Sequence, residues 1–363
     1  MDSKNEELKP SVREKKRRRP KNPNRPVTGK GKIRDISQEG KKSGEFPWKA
    51  VVITAIITAL AAGLTALYFT YDYEERKYAY TRETIVVQES EALDAIKDAL
   101  TSGDSTMSAV RKGFRDYIVL CDAAGNYVFQ PINYKLKMHK RDPRNVKKLQ
   151  TGEWQYVENG RTISHKGIDV SSHQGDIDWK KVAADGVEYA VIRAGLRGYE
   201  TGKIKLDDKF QQNITGAKEN GIRTGVYFFS QAINEEEIDE EADFILEAIA
   251  PYEITGPVVI DVETTADGVG RADTLSTELR TDLVVRFCEK IKEAGYRPMI
   301  YYNFEAAVLL TDVARLEEYD KWYASYSSEF YYPYYYGMWQ YTANGRVDGI
   351  EENVDLDMIF DEW

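Results

Sequence analysis

Two carboxylates spaced two residues apart close an apolar run, Pro257-Val258-Val259-Ile260-Asp261-Val262-Glu263. Positions i and i+2 of a strand share a face, so Asp261 and Glu263 project together from the strand's end. Acids held that close do not ionise independently. One pKa rises and the other falls, the division of labour that acid-catalysed cleavage of a glycosidic bond requires. Taken alone, the segment is equally well read as a strand-end turn carrying two solvated acids.

The elements that must position this pair are legible around it. A continuous Val/Ile run reads as a parallel strand buried on both faces, and the carboxyl ends of such strands are where barrel and open-sheet enzymes keep their chemistry. Two further strand-like segments deliver acids, Gly167-Ile168-Asp169-Val170-Ser171 and Asn353-Val354-Asp355-Leu356-Asp357-Met358-Ile359. If the region closes into a barrel, its first and last strands become neighbours and all three acid-bearing strands converge on one mouth. Strands are predicted over 167–171, 189–194, 223–229, 257–262, 297–302, 321–326, 336–341 and 353–359. Between them, apolar residues at three- and four-residue spacing predict helices over 206–220, 235–250 and 276–294. This alternation predicts an α/β fold of parallel barrel type, with little room for helices between the last strands.

From about residue 166 to 360 the chain resembles the family 25 glycoside hydrolases, the Chalaropsis-type lysozymes (N-acetylmuramidases) of bacteria and phages. The resemblance rests on Gly167-Ile168-Asp169-Val170-Ser171 with Gln174-Gly175 and Ile177-Asp178-Trp179, then Val191-Ile192-Arg193-Ala194-Gly195 and Gly225-Val226-Tyr227-Phe228-Phe229. It continues through Glu241-Ala242-Asp243-Phe244, Asp261-Val262-Glu263, Trp339-Gln340-Tyr341 and Val354-Asp355-Leu356, in the family's order. It implies a modified TIM-like (β/α) barrel whose final strands lack full helical crossovers. It further implies a peptidoglycan muramidase cleaving β-1,4 bonds between N-acetylmuramic acid and N-acetylglucosamine, with glycan strands as its partner.

By position in the family's motifs Glu263 is the proton donor, and Asp261 is an ionised partner suited to steadying an oxazolinium-like charge. Asp169 and Asp355 match the two remaining active-site acids. Attack by the sugar's own acetamido group and direct attack by water both stay open. Asp357 shares the face of Asp355 and has no assigned role. Aromatic rings offer flat apolar faces and hydroxyls to sugars; Tyr227, Tyr301, Trp339 and Tyr341 are the candidates, while several tyrosines of 331–335 suit packing. The alternative from another class is a non-catalytic sugar-binding protein on the same barrel. Tyr323-Ala324-Ser325-Tyr326 departs from an Ala-Gln-Tyr-like element of many relatives, which bears on subsite preference.

The 363 residues carry a net charge of −10 that conceals a basic N-terminal region centred on Lys15-Lys16-Arg17-Arg18-Arg19 and an acidic region after Gly167. Without aromatic interleaving or a reader motif, the basic stretch gives no case for nucleic-acid binding. Residues 1–46 read as a disordered cytoplasmic tail and 47–70 as a transmembrane helix, its charge-free core at 50–69 meeting the lipid bilayer. That pattern predicts a single-pass membrane protein with the N-terminus cytoplasmic and the catalytic domain outside, and the scarcity of cysteines fits the surface of a Gram-positive bacterium. Residues 71–104 read as a stalk helix, 105–165 as a small α+β spacer built round a hairpin, and 166–363 as the catalytic barrel. Cys121 and Cys288, the only two cysteines, read as small buried apolar residues rather than a disulfide scaffold. Three histidines without ligand spacing give no metal site, and no cofactor is called for.

Overall fold

The computed structural model describes residues 48–122, 125–265, 268–327 and 330–363; within the first range, side chains are described for 51–53, 55–67, 70 and from 90 onward. The tail expected over 1–46 lies outside the described residues. The chain divides into two compact units, Met1–Tyr78 and Ala79–Trp363. The described part of the first is helical and belongs to α1 (Trp48–Thr101).

The expected membrane span is corrected here. Among the described residues no helix is long and apolar enough to cross a membrane. Helix α1 continues without a break through the acidic and basic positions after Tyr71 to Thr101. The single-pass placement and the bilayer contact at 50–69 therefore have no support.

Eight strands close the barrel of the second unit: β1 (His165–Val170), β2 (Tyr189–Arg197), β3 (Arg223–Phe229), β4 (Val258–Asp261), β5 (Pro298–Asn303), β6 (Asp320–Ala324), β7 (Met338–Gly345) and β8 (Val354–Ile359). They follow one another round the ring in chain order, and β8 returns to pair with β1. Pairing is parallel from β1 to β7, whereas β8 runs antiparallel to both neighbours. An additional short strand, Ile204–Leu206, pairs with the far end of β2 and had no periodic signal to announce it.

Helices α3 (Trp179–Ala184), α4 (Phe210–Glu219), α5 (Glu235–Ile249) and α6 (Thr277–Glu293) fill the first four crossovers. Their ends follow local chemistry. Asn234 caps α5 by accepting the Glu237 amide at 2.9 Å, ahead of three glutamates that suit a helix N-terminus. Ser276 caps α6 by accepting the Leu279 amide, and Lys290 and Lys292 lie in its last turn. Alternation along the strands then sorts residues into two cores. Val170, Ile192, Val226, Phe228, Ile260 and Ile300 pack outward, while Val191, Val259, Met299, Trp322, Met338 and Ile359 fill the interior.

The segment expected to be a spacer is part of the barrel's own packing. It holds α2 (Thr106–Gly113), the hairpin Tyr117–Cys121/Tyr127–Pro131 and a three-stranded sheet of Val146–Lys148, Trp154–Glu158 and Arg161–Thr162. Its Ile118 and Tyr156 join the outer core. Among its described residues the connection from β6 to β7 has no helix; its tyrosines bind the module instead. The Tyr331 hydroxyl accepts from the Val119 amide and that of Tyr334 accepts from the Asn133 amide at 2.8 Å. Arg111 lies over the Tyr331 ring at 3.8 Å. The module thus covers a strand face that a crossover helix covers elsewhere. Cys288 is buried and Cys121 exposed, both free, so the expectation of burial fails for Cys121, which ends an edge of the hairpin.

Candidate active site

Asp261 ends β4 as an inward-facing residue, after Val259 and between the outward Ile260 and Val262. The backbone stays strand-like past it: the Ser230 amide donates to the Asp261 carbonyl at 3.2 Å and the Val262 amide to the Tyr301 carbonyl at 3.0 Å. Glu263 therefore emerges on the same face. Across the barrel's antiparallel seam Asp355 of β8 is the direct register partner of Asp169 of β1. Asp357, one inward position deeper, pairs with Gly167, where an added Cβ would lie 2.7 Å from Ile359 Cδ1 and 3.1 Å from Asp357 Cβ. Glycine at 167 is thus what leaves room for a second acid on β8.

These acids share one electrostatic environment. Burial, and then the charge of Asp355, pushes Glu263 up to about 7. Burial pushes Asp355 up to about 6. Asp261 is held well above the carboxylate range by burial and by Glu263, with the Arg193 guanidinium pulling the other way. That direction differs from the expectation of a simply ionised Asp261, because the barrel interior removes water that the residue pattern leaves unspecified. Its Oδ1 has no hydrogen-bond partner among the described residues. Asp169 is likewise raised by burial and by Asp355 and Asp357, and its side chain is hydrogen-bonded to Asp357. The Trp322 indole N–H donates to Asp357 Oδ1 at 2.8 Å.

Gln340 ties the site together and was missed from sequence. Its Nε2 donates to Asp169 Oδ2 at 2.8 Å, and its Oε1 accepts from the hydroxyls of Tyr301 at 3.0 Å and Tyr326 at 3.1 Å. The signal was available, since in Trp339-Gln340-Tyr341 the glutamine and the two rings must occupy opposite faces. Arg193 was also missed. It faces the interior of β2, donating from Nε to Asp207 Oδ2 at 2.8 Å and from Nη2 to Ser172 Oγ at 3.1 Å.

Of the four aromatic candidates, the structure brings two to the acids. Tyr227 and Tyr301 face inward, where their hydroxyls are raised by burial first and by neighbouring acids. Tyr301 packs edge-on against Trp322 at 4.5 Å. Trp339 and Tyr341 are 1% and 3% exposed and lie in the outer core, packed on Trp154 of the module. They do not join the acids. Tyr326, 60% exposed, does so through its hydroxyl. Among the described residues no group of three or more His, Cys, Asp or Glu side chains is arranged to hold a metal ion.

A closed barrel with carboxylates, an amide and phenols gathered at one mouth defines a carbohydrate-cleaving hydrolase of barrel type. Residues 168–350 match the family described as glycosyl hydrolases family 25. The chain belongs to that family and is a glycoside hydrolase. It is similar to the uncharacterized protein YegX of Escherichia coli K12, 30% identical over 204 residues, which cover 53% of this chain and 68% of YegX. Lysozyme M1 of Streptomyces globisporus is 27% identical over 211 residues, covering 53% of this chain and 67% of that protein. Among solved structures, the modular autolysin LytC of Streptococcus pneumoniae, in complex with a synthetic peptidoglycan ligand, is 26% identical with a TM-score of 0.48. That match covers 67% of this chain and 56% of the autolysin.

Proposed function

We propose that the chain is a peptidoglycan muramidase that hydrolyses β-1,4 bonds between N-acetylmuramic acid and N-acetylglucosamine. The observation that carries this reading is the inward pair Asp261 and Glu263, with Glu263 held at about 7 by burial and by Asp355. A carboxyl in that range keeps a proton to give to the leaving oxygen near neutral pH and has enough acidity to release it. Similarity to proteins named as lysozymes supports the substrate class.

In this reading Glu263 protonates the glycosidic oxygen. Positive charge then develops at the anomeric centre or on the adjoining acetamido group, beside Asp261. Burial and Glu263 oppose ionisation of Asp261; developing positive charge favours its carboxylate where the transition state needs it. Arg193 assists, because its guanidinium charge favours the ionised form of Asp261 against burial. Asp169 and Asp355 shape the field, and Tyr227 and Tyr301 line the interior within reach of sugar hydroxyls.

The test is to incubate the full chain with purified peptidoglycan and identify the new reducing ends, with Glu263→Gln alongside. Muramic acid ends from the parent alone are expected. Ends of N-acetylglucosamine, equal release by Glu263→Gln, or no ends from folded protein would each overturn the assignment.

A further inference from the structure

The outer face of β7 connects the acid site to a part of the chain that lies before the family match at 168–350. Trp154, in the module, stacks on Tyr341 with ring centroids 5.3 Å apart and planes 9° apart, and meets Trp339 edge-on at 5.4 Å. Its backbone N–H also donates to the Tyr341 hydroxyl at 3.3 Å. Trp339 and Tyr341 flank Gln340, so the module grips this strand from behind at the two positions on either side of the residue that holds Asp169.

A second path leads from the same contact. The Trp339 indole N–H donates to the Ser325 carbonyl at 2.8 Å, and the Ser325 amide donates to the Gln340 carbonyl at 3.0 Å. Ser325 immediately precedes Tyr326, whose hydroxyl reaches Gln340 Oε1. Both routes end on the same amide, which accepts from two tyrosines and donates to Asp169.

We propose that Trp154 is a positioning residue for the acid site: by backing Trp339 and Tyr341 it sets Gln340 against Asp169 and holds Tyr326 over the barrel mouth. The inference rests on the muramidase reading for its kinetic consequence. It gives the 105–165 module a part in catalysis without contact with substrate, and it assigns Trp339 and Tyr341 to transmitting that support. Gln340 has rotatable bonds of its own, and a strand free to shift by a fraction of its width would lose alignment with three partners at once. Misplacement on the order of 1 Å costs up to roughly a hundredfold in rate.

The test uses the full chain with Trp154→Ala, Trp154→Phe, Tyr326→Phe and the double variant Trp154→Ala/Tyr326→Phe. Trp154→Ala is expected to lower kcat on peptidoglycan by roughly ten- to a hundredfold with KM little changed, and Trp154→Phe to restore most of it. In the Tyr326→Phe background the Trp154→Ala loss is expected to shrink, because coupled positions are not additive. Hydrogen exchange supplies a readout that needs no substrate. The Ser325 amide should exchange faster in Trp154→Ala while the Val226 amide on β3, bonded to the Pro257 carbonyl at 2.9 Å, stays protected. Fully additive losses, or exchange that rises equally at both amides, would overturn the proposal as a general loss of stability. A parent protein that releases no reducing ends would remove the muramidase reading, and the exchange comparison would still decide this one.

Discussion

Glu263 and Asp355 face one another from opposite sides of the barrel mouth, the first just beyond β4 and the second near the start of β8, four strands apart either way round the ring. The Asp355 charge nevertheless raises Glu263. A carboxyl that must donate a proton is active below its pKa, so activity should fall as pH climbs through about 7. Asp355→Asn removes the raising charge and should move that alkaline limb to lower pH, whatever it does to the maximum rate. The pH dependence of kcat/KM checks this. A limb that stays in place or moves upward would exclude Glu263 as the donor.

Arg193 acts on the opposite limb. It pulls the Asp261 pKa down against burial and Glu263, so its loss should keep Asp261 protonated to higher pH. For Arg193→Met the acid limb of the same profile is expected to move up and narrow the active range. Because Asp207 would lose its buried partner, the charge-conserving Arg193→Lys serves as control and should retain most of the parent's limb position.

Asp357 is 1% exposed, and burial followed by the Asp355 charge raises its pKa well above the carboxylate range. A carboxyl whose folded pKa exceeds its unfolded value binds its proton more tightly when folded. Stability from that group is therefore greatest below the unfolded value of about 3.9 and declines as pH rises toward the folded one. Asp357→Asn removes the penalty while its side-chain oxygen still accepts from Trp322. The variant should be more stable than the parent at pH 7, read as a higher Tm. Thermal unfolding at acid and neutral pH should show the gain only at the latter.

Removal of residues 1–165 should not leave a well-folded barrel. Trp339, Tyr341 and Tyr336 are each at most 3% exposed, and Trp154, His139 and Arg141 provide part of their cover. Exposing several such rings costs roughly 1.5–3 kcal/mol apiece, comparable with the whole stability of a domain. The truncated chain is expected to bind a hydrophobic dye and to lose cooperative unfolding. A sharp transition at the full chain's temperature would contradict the packing described above.

The barrel was readable because its strands are written in residues with a period. Apolar runs, three of them delivering acids, mark positions within a few residues of β1 to β8, and three- and four-residue spacing marks α4, α5 and α6. Asp261 and Glu263 followed from the same rule of two. Where that rule was not applied, at Trp339-Gln340-Tyr341, the rings were credited with sugar binding and the glutamine between them was passed over. Arg193 stood inside a recognised motif without a stated role, since only folding places it beside Asp261. The docking of 105–165 was hidden for a different reason. Its partners are the aperiodic tyrosines of 330–336, about two hundred residues away, and neither segment names the other by composition. The membrane reading rested on one charge-free run weighed apart from the helix that contains it.

Because β8 closes the ring against β1, Asp169 meets Asp355 only across a seam whose two edges lie far apart in the chain. While the polypeptide is still being made, the first acid waits on an open sheet for a strand that has not yet left the ribosome. Asp169 and Asp355 can therefore come together only when the last strand closes on the first. In the muramidase reading, hydrolytic competence would then follow closure of the ring rather than the making of any one strand.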